Sequence, residues 1–465
     1  MSGVYSVSGL ASGLDWRKMV DDLMKIEHRP VDLMQAQQDK LTAAKGVWSD
    51  IKTQLAALDL SLSNLSLDTA YNGRIASSAN ETVVTATASS GAAVGTYALT
   101  VGGLAQAHSV ASDTKASTYA VSAGAAGTFQ IKVIDSTGAT VSTSVTAAAG
   151  DSLTNVAQNI NTAKAGVTAS VITTSTGFQR LVITRNVTGA NSTISFVDTN
   201  TTAGALAEMG VVVDSAGNAV KNQLVGAQDA SFTVNNVAVT RSTNTVSDAV
   251  TGVTFNLKAL SATAVNVTVS QDVDGTYNKI KDFVDKYNAA LDLMTAKMAK
   301  GEVLQGDATL SRIQSTLRQM VSDRVSGATG SFTSLFDIGI STSDNAGHLA
   351  IDDTKLRAAI ADKPQDVKTL LFDASTSVNG VGEKLRSELA LAITGTGLNP
   401  GIIPARLTGL DRSITDLGNQ MKSMEDRLAL RRDTLVKQFV AMEQTVGLLQ
   451  GQSSWLSGQL SGLLR

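Results

Sequence analysis

Few residues of the chain have types and spacing suited to metal chemistry. The three histidines, His28, His108 and His348, lie far apart, so none belongs to a two-histidine helical motif for zinc. The run Asp272–Gly275 (Asp-Val-Asp-Gly) resembles the opening of a calcium loop, but the closing position of that loop falls on Phe283, which cannot bind calcium. We therefore predict no metal site.

The patterns of common enzyme sites are also missing from the sequence. There is no cysteine, which removes thiol nucleophiles, thiolate metal ligands and disulfides together. No glycine-rich stretch ends in the Lys-Ser or Lys-Thr of a phosphate loop, and there is no Gly-x-Ser-x-Gly motif. The carboxylate pair Asp352-Asp353 is best interpreted as the start of a helix. We predict that the protein is not an enzyme and has no cofactor.

The composition indicates several packed domains without a strong electrostatic preference. The 465 residues exceed one ordinary domain, and 43% of them are hydrophobic, which is enough for several cores. A net charge of −3 gives no reason to expect nucleic acid or an anionic membrane as a partner. No apolar run approaches the ~18 residues of a membrane span. Met1–Asp15 lacks the pattern of a cleaved signal peptide, which leaves a cytosolic protein or export by another route.

Both ends of the chain carry apolar residues in steps of three and four. This spacing places the side chains on one helix face, as in a coiled coil. In the N-terminal helix, expected as a rod of ~55 Å over residues 31–67, the face comprises Leu41, Trp48, Ile51, Leu55, Leu58, Leu62 and Leu65. In the C-terminal helix it comprises Leu417, Met421, Met424, Leu428, Leu435, Phe439, Met442, Val446 and Leu449.

We name these two faces the N-terminal seam and the C-terminal seam, and we predict that they form the interface with other subunits or partners. Their length and marginal hydrophobicity favour pairing across subunits, while packing within the chain is the alternative. Trp48 is accordingly expected to enter its seam on assembly. A shorter helix should precede Pro30, with Asp15 as its N-cap and with apolar positions at Met19, Leu23 and Ile26.

The middle of the chain has the alternation of β-strands. Hydrophobic residues occupy every second position in segments such as Phe129–Val133 and Val265–Val269. Asn235-Asn236 predicts a tight hairpin turn, since asparagine tolerates positive φ. One helix is expected among the strands, with Asp151 as its N-cap. Its buried face should comprise Leu153, Val156 and Ile160.

Helical spacing returns from Tyr277 to Met298, where we expect a helix buried within the chain, and Asp344–Gly347 predicts a short hairpin. The chain is thus predicted to be an α+β multidomain protein with long terminal coiled-coil helices, a central helical domain and inserted β-rich domains. The predicted limits are 1–66 for the N-terminal coiled-coil segment, 67–107 plus 226–275 for a discontinuous β-rich domain, 108–225 for an inserted outer β-rich domain, 276–400 for a mainly helical domain with a β-hairpin, and 401–465 for the C-terminal coiled-coil segment.

Several blocks of the sequence resemble one known family. The run Val7–Asp15 (Val-Ser-Gly-Leu-Ala-Ser-Gly-Leu-Asp), followed by an amphipathic stretch and Pro30, is similar to the N-terminus of the flagellar hook-associated filament-cap proteins. Further blocks resemble that family in the same order along the chain: Gly95–Tyr97, Leu104–Ala107, Ser242–Val246, Phe283-Val284, Gly347–Leu349 and Gln438-Phe439. The likeness covers both ends and most of the chain, and it is weakest from about His108 to Val225.

The resemblance implies a structural protein at the tip of the bacterial flagellar filament. Such a cap would be a ring-like homo-oligomer, expected with five subunits, that promotes flagellin insertion and prevents leakage of monomers. The terminal helices would form legs that contact flagellin. The resemblance further implies type III flagellar export, an export chaperone at the C-terminal helix, contact with hook–filament junction proteins and, in some organisms, a host surface receptor. A bacterial surface adhesin or a phage tail-type fibre is the alternative.

Overall fold

The computed structural model describes residues 12–198, 204–215, 218–328, 330–373, 379–396 and 399–463. Val7–Ala11 of the predicted family block lie outside the described residues. The α-helices, in chain order, are α1 Trp16–Glu27, α2 Arg29–Leu65, α3 Leu153–Thr162, α4 Ala205–Met209, α5 Val273–Met298, α6 Ala308–Ser322, α7 Asp353–Asp362, α8 Pro364–Leu371, α9 Val381–Ile393 and α10 Ile402–Leu463.

The strands alternate with these helices mainly in the middle of the chain. They are β1 Arg74–Ser78, β2 Val84–Ala88, β3 Gly95–Gly103, β4 Ser109–Ala111, β5 Lys115–Ala116, β6 Gly127–Ile134, β7 Thr140–Ala147, β8 Val167–Ser175, β9 Phe178–Arg185, β10 Ile194–Asp198, β11 Asn222–Val225, β12 Ala230–Val234, β13 Val237–Arg241, β14 Thr245–Val250, β15 Val253–Leu257, β16 Ser261–Gln271, β17 Ile340–Thr342, β18 Leu349–Ile351, β19 Gly395–Thr396 and β20 Asn399–Pro400.

Two compact units divide the chain. The helical unit comprises Met1–Tyr71 with Asp274–Arg465, and the β unit comprises Asn72–Val273. The predicted α+β multidomain class, with long terminal helices and inserted β-rich parts, is confirmed. The five predicted domain limits stay predictions.

The helical unit is built along its two longest helices. α2 has 37 residues and α10 has 62, so α10 is about 90 Å long at the usual rise per residue. α2 packs against both α10 and α9, and α9 also contacts α6 and α8. Pro30 lies in the first turn of α2, where its missing N–H costs no helical hydrogen bond, and α1 ends just before it at Glu27. The predicted interruption near Pro30 is confirmed.

The central part of the helical unit follows the sequence pattern closely. The buried face of α5 includes Tyr277, Ile280, Phe283, Val284, Tyr287, Leu291 and Met294. The predicted hairpin around Asp344–Gly347 is the pair β17–β18, with Ile340 opposite Ile351. The helix predicted at Asp352-Asp353 begins at Asp353, and the Asp352 carboxylate accepts the Lys355 N–H as its N-cap. Among the described residues, no helix is long and apolar enough to cross a membrane.

Hydrophobic and polar residues alternate along the strands of the β unit, and the hydrophobic ones form two separate cores. The inner β lobe, made of β1–β3 and β12–β16, has sheets in the orders β1-β16-β3-β12-β13 and β14-β15-β2. The outer β lobe, made of β4–β11 with α3 and α4, has the orders β10-β6-β7 and β11-β4-β9-β5, with β8 paired to β9. The outer lobe is therefore an insertion in the chain between β3 and β12, which are neighbouring strands in a sheet of the inner lobe.

Two local predictions in the β unit have different outcomes. The turn between β12 and β13 places Asn235 and Asn236 at φ of 50° and 66°, which confirms the predicted tight hairpin. Asp151 is not the N-cap of α3, so that prediction was wrong. Ser152 is the cap, because its hydroxyl accepts the Asn155 N–H, while the Asp151 carboxylate accepts the Ala148 N–H and closes the preceding turn. The predicted buried face of α3 is confirmed.

Candidate assembly interface: the terminal helices

The first helices of the chain lie along α10 in an antiparallel arrangement. Three ion pairs show the direction: Asp21 contacts Arg432 at 3.0 Å, Glu27 contacts Arg431 at 3.7 Å, and Lys45 contacts Asp411 at 2.5 Å. Residue numbers therefore rise along α1 and α2 while they fall along the facing part of α10. We call this part, in which α1 and the start of α2 lie along α10 (residues 16–45 with 411–443), the stem.

The interior of the stem consists of two small apolar clusters. In the first, Val31 packs with Met421 and Leu428, flanked by methionines whose flexible side chains fill the irregular space. In the second, Trp16 and Val20 pack with Leu435, and the Trp16 ring stacks on Phe439 with a centroid distance of 6.0 Å. A two-helix contact can cover only one side of each helix, so these clusters are narrow.

A polar contact closes the far end of the stem. The Ser12 backbone N–H and hydroxyl donate to the two carboxylate oxygens of Glu443, at 3.2 and 2.6 Å. Glu443 is buried, and these charge-assisted hydrogen bonds join residues 431 positions apart. Nothing in the sequence pattern indicates this pairing, because it depends on the antiparallel docking of the two ends.

Most of the N-terminal seam lies below the stem, in a part of α2 that we call the base (residues 48–65). The structure buries every predicted seam side chain of the base almost completely: Trp48, Ile51, Leu55, Leu58, Leu62 and Leu65. This burial occurs within the single chain, where α2 packs against α9 and α10. Arg386 of α9 also forms an ion pair with Asp59 of α2 at 3.3 Å. Leu41 lies in the stem and is half-buried. The expectation that Trp48 enters its seam on assembly was wrong, because its side chain is already buried in the single chain. An inter-subunit role for this seam stays a prediction.

The C-terminal seam lies mostly on the stem face of α10. Met421, Leu428 and Leu435 are buried there, while Leu417, Met424, Phe439, Met442 and Val446 are half-buried and Leu449 is exposed. The structure therefore brings this seam against α1 and the start of α2, not against the predicted N-terminal seam. The partner residues missed by the sequence reasoning are Trp16, Val20 and Val31. The four-residue step from Trp16 to Val20 to Met24 was the available signal.

The apolar positions expected for α1 point away from this contact. Met19, Leu23 and Ile26 are all exposed, with Ile26 at 70%, and Leu33 of α2 is equally exposed. Steps of four and three residues put Met19, Leu23 and Ile26 on one face of α1, which we call the outward face together with Leu33. α1 thus has two apolar faces, one of which α10 covers.

Comparison with known proteins identifies this helical and β-lobed architecture. Residues 12–108 match the profile of the flagellar hook-associated protein 2 N-terminus, and residues 227–451 match that of its C-terminus. Residues 128–187, in the outer β lobe, match the flagellin hook IN motif. The A-type flagellar hook-associated protein 2 of Pseudomonas aeruginosa is 30% identical, covering 100% of this chain and 98% of that protein. The chain belongs to the flagellar hook-associated protein 2 family.

Further relatives agree with this membership. The flagellar hook-associated protein 2 of Escherichia coli K12 is 28% identical, over 99% of this chain and 98% of its own length. The crystal structure of the D1-D2-D3 domains of the flagellar cap protein from Escherichia coli has a TM-score of 0.63 at 28% identity, covering 78% of this chain and 99% of that one. The predicted filament-cap function is thereby confirmed, and the adhesin or phage-fibre alternative is not favoured.

In this member of the hook-associated protein 2 family, α10 continues beyond the stem with apolar side chains in water. Leu448, Leu449, Trp455, Leu456 and Leu460 are all exposed. They recur in steps of seven and four residues, so they continue an apolar helix face beyond the part of α10 that α1 covers. Within the described ranges, no group of three or more His, Asp or Glu side chains could hold a metal ion. The arrangement offers exposed apolar surfaces for packing.

Proposed function

We propose that this cap protein works through the terminal helices as exchangeable packing surfaces, arranged in a ring-like homo-oligomer at the filament tip. The stem is well suited to this because its contacts are shallow and methionine-rich, so they can be exchanged at low cost. The base anchors the same helices in a fully buried core. A ring of five subunits is our expectation for the assembly.

The outward face is the observation that carries this proposal. Exposed hydrophobic residues grouped on one face of a helix mark interaction sites. Leaving such side chains in water does not stabilise the helices. Ile26 and Leu33 are each 70% exposed, although both lie within regular α-helices. We infer that flagellin covers this face while a subunit is guided into the growing filament, and that its release follows from the small contact area.

The exposed end of α10 fits a second kind of partner. Its apolar positions from Leu448 to Leu460 form a helical stripe that an export chaperone could cover before assembly. We propose that the chain reaches the filament tip by type III flagellar export in a chaperone-bound form. Contacts with hook–filament junction proteins and with a host surface receptor remain predictions of the family resemblance. We further infer that the chain is not an enzyme, because holding and guiding flagellin requires no bond to be made or broken.

Replacing Leu33 by aspartate tests the outward face. The side chain is exposed, so Leu33→Asp should leave the fold and the ring intact but place a charge where flagellin must pack. In a strain lacking the native gene, we expect shorter filaments, weaker swimming and more flagellin in the medium. Thr42→Asp is the matched control, since Thr42 is also exposed on α2 and lies about 180° away from Leu33 around the helix.

Three measurements separate the outcomes of this experiment. Circular dichroism and the oligomeric state of purified Leu33→Asp show whether the protein folds and forms its ring. If the ring forms and flagellin leaks, the proposal stands. Normal filaments with Leu33→Asp would show that flagellin does not use this face, and a lost ring would assign the face to subunit contacts instead.

A further inference from the structure

A pocket opens on the helical unit where the stem meets the base. Its volume is about 570 Å³, which is within the range of pockets that take a ligand. Three parts of the chain form its walls: α2, α10 and the loop between α5 and α6, residues 299–307. All three walls belong to the helical unit.

Ion pairs and backbone hydrogen bonds hold these walls in place. Arg406 of α10 contacts Asp307 of the loop at 3.3 Å, and Lys45 of α2 contacts Asp411 of α10 at 2.5 Å. The Asp307 side chain also caps α6, which fixes the end of the loop. Successive turn hydrogen bonds run through the rest of the loop. The pocket is therefore already formed in the single chain, and a partner need not order it.

Apolar side chains with accessible surface line the pocket. Leu41 and Ala44 of α2 are half-buried, and Val303 of the loop is 45% exposed. The buried residues Trp48 and Leu410 complete the apolar lining. Exposed apolar surface in a concave site is typical of a place where a partner inserts a side chain, because the insertion removes apolar surface from water on both sides.

The pocket continues the outward face along α2. At about 100° per residue, Leu33, Lys40 and Ala44 lie within about 40° of one another around the helix axis. Ala44 is about 16 Å further along the axis than Leu33, which is about three helical turns. One helix of about eleven residues lying on α2 would therefore cover Leu33 and reach the pocket.

Two charged side chains on the rim of the pocket indicate the chemistry of the partner. Lys40 of α2 and Glu302 of the loop both line the pocket and are exposed. Neither has an ion-pair partner among the described residues, whereas Arg406 and Asp307 are paired with each other. A partner with a carboxylate opposite Lys40 and a basic side chain opposite Glu302 is favoured, and such charges fix the direction in which it binds.

We propose that this pocket anchors an amphipathic helix of flagellin, which lies along α2 and inserts one large apolar side chain between Leu41, Ala44 and Val303. The inference rests on the proposed function, because the occupant is the partner assigned there to the outward face. It adds a defined anchoring point to that face. Side chains that enter a preformed pocket carry most of the binding energy of an interface.

Titration of the purified, ring-forming protein with monomeric flagellin, followed by surface plasmon resonance, tests the pocket. Ala44→Phe fills the pocket from α2 and should weaken binding about tenfold. Ala43→Phe is the matched control, since Ala43 is exposed at the preceding position and does not line the pocket. It should bind within about twofold of the wild type. Val303→Asp places a charge on the loop side and should also weaken binding about tenfold. Lys40→Glu should weaken it about threefold, because it repels the expected carboxylate.

The results distinguish the pocket from the proposed function. Weaker binding by Ala44→Phe and Val303→Asp, with intact rings and a normal Ala43→Phe, supports the pocket. Where Ala44→Phe fails to fold, Val303→Asp decides, since its side chain is on an exposed loop. Normal binding by the pocket variants with weaker binding by Leu33→Asp overturns the pocket and leaves the proposed function standing.

Two further outcomes also contradict the pocket as a flagellin site. If the wild type binds no flagellin, the proposed function and the pocket are both overturned. If the pocket variants lose the ring but bind flagellin normally, the pocket belongs to a contact with a second copy of the chain. Gel filtration and circular dichroism of each variant supply the ring and folding measurements.

Discussion

The base and the stem meet within one helix, α2, whose first part belongs to the stem and whose second part is the base, and the two parts have very different surroundings. In the base the seam side chains are almost completely buried, because α9 and α10 both pack against that part of the helix. In the stem α10 is the main partner, so the seam is shallow and the other side of the helix stays in water. A heptad pattern thus shows which face is apolar, but not how many neighbours cover it.

The largest expected effect is in the base. Leu58 is fully buried, and truncation of such a leucine removes apolar contacts and leaves a cavity. Leu58→Ala should lower the free energy of unfolding by about 2–5 kcal/mol. Denaturant unfolding followed by circular dichroism in the helical range measures it. A loss below about 1 kcal/mol would mean that the base repacks easily, and the contrast with the stem would disappear.

A smaller effect is expected in the stem. In the described part of the chain, Leu435 packs in a small cluster with Trp16 and Val20, so a single helix, α1, is its partner. Leu435→Ala should therefore cost about 1–2 kcal/mol, less than the same change in the base. Leu435→Asp should detach α1 from α10, and weaken cap assembly in a complementation assay, while the β unit stays folded. Lys437→Ala is the control within about 0.5 kcal/mol, since its pair with Asp433 is solvent-exposed.

An intact native ring and normal filaments with Leu435→Asp would contradict the stem as a working interface. The comparison with Leu58→Ala sharpens this result. If both leucine truncations cost the same, the stem is as well packed as the base and would not serve as an exchangeable surface.

The sequence predicted the elements better than their partners. Spacing located both terminal helices and the β alternation, and Asn235-Asn236 and Pro30 were interpreted correctly because their backbone restrictions are local. The cap of α3 was misplaced by one residue, since Asp151 and Ser152 are both good caps. For α1, two apolar faces compete, and periodicity cannot tell which one meets α10.

Long-range pairings account for the rest of what the sequence missed. The bond between Ser12 and Glu443 depends on the register of two helix ends. The opposition of the C-terminal seam to Trp16, Val20 and Val31, not to the N-terminal seam, depends on the same register. Several antiparallel registers satisfy one heptad pattern, and only the complete set of contacts selects between them.

Charged side chains as well as buried ones hold the hairpin β17–β18 on α5. The stability of this contact should therefore depend on pH, whereas the apolar packing of the base should not. His348 Nδ1 contacts Asp344 at 2.6 Å and Nε2 contacts Asp292 at 2.9 Å, while Arg318 of α6 donates to the Asn345 carbonyl nearby. The hydrogen bond with Asp344, helped by Asp292, raises the pKa of His348 above its ordinary 6.5. The charged form is therefore the one that stabilises the fold.

This raised pKa fixes the direction of the effect. The stabilisation by His348 is fully present below pH 6.5 and is lost as the pH rises through the higher pKa of the folded state. Wild type should exceed His348→Asn in stability at about pH 6 by more than at about pH 9. Urea unfolding of both proteins at the two pH values measures this. A difference that does not change between them would show that the histidine acts by packing alone.

The smallest expected effect is a fluorescence change that separates the end of α10 from the stem and the base. Trp16 and Trp48 are already buried in the single chain, so neither can report assembly by becoming covered. Trp455 is 64% exposed on the stretch of α10 that we expect to pack in the assembled cap or against the chaperone. Assembly should therefore shift the emission to shorter wavelength through Trp455 alone, because an indole emits further to the blue once it leaves water. Trp455→Phe should abolish the shift. Trp48→Phe should lower the emission intensity but leave the shift unchanged. A shift that persists in Trp455→Phe would place the rearrangement in the stem or base, and the end of α10 would then be a free tail.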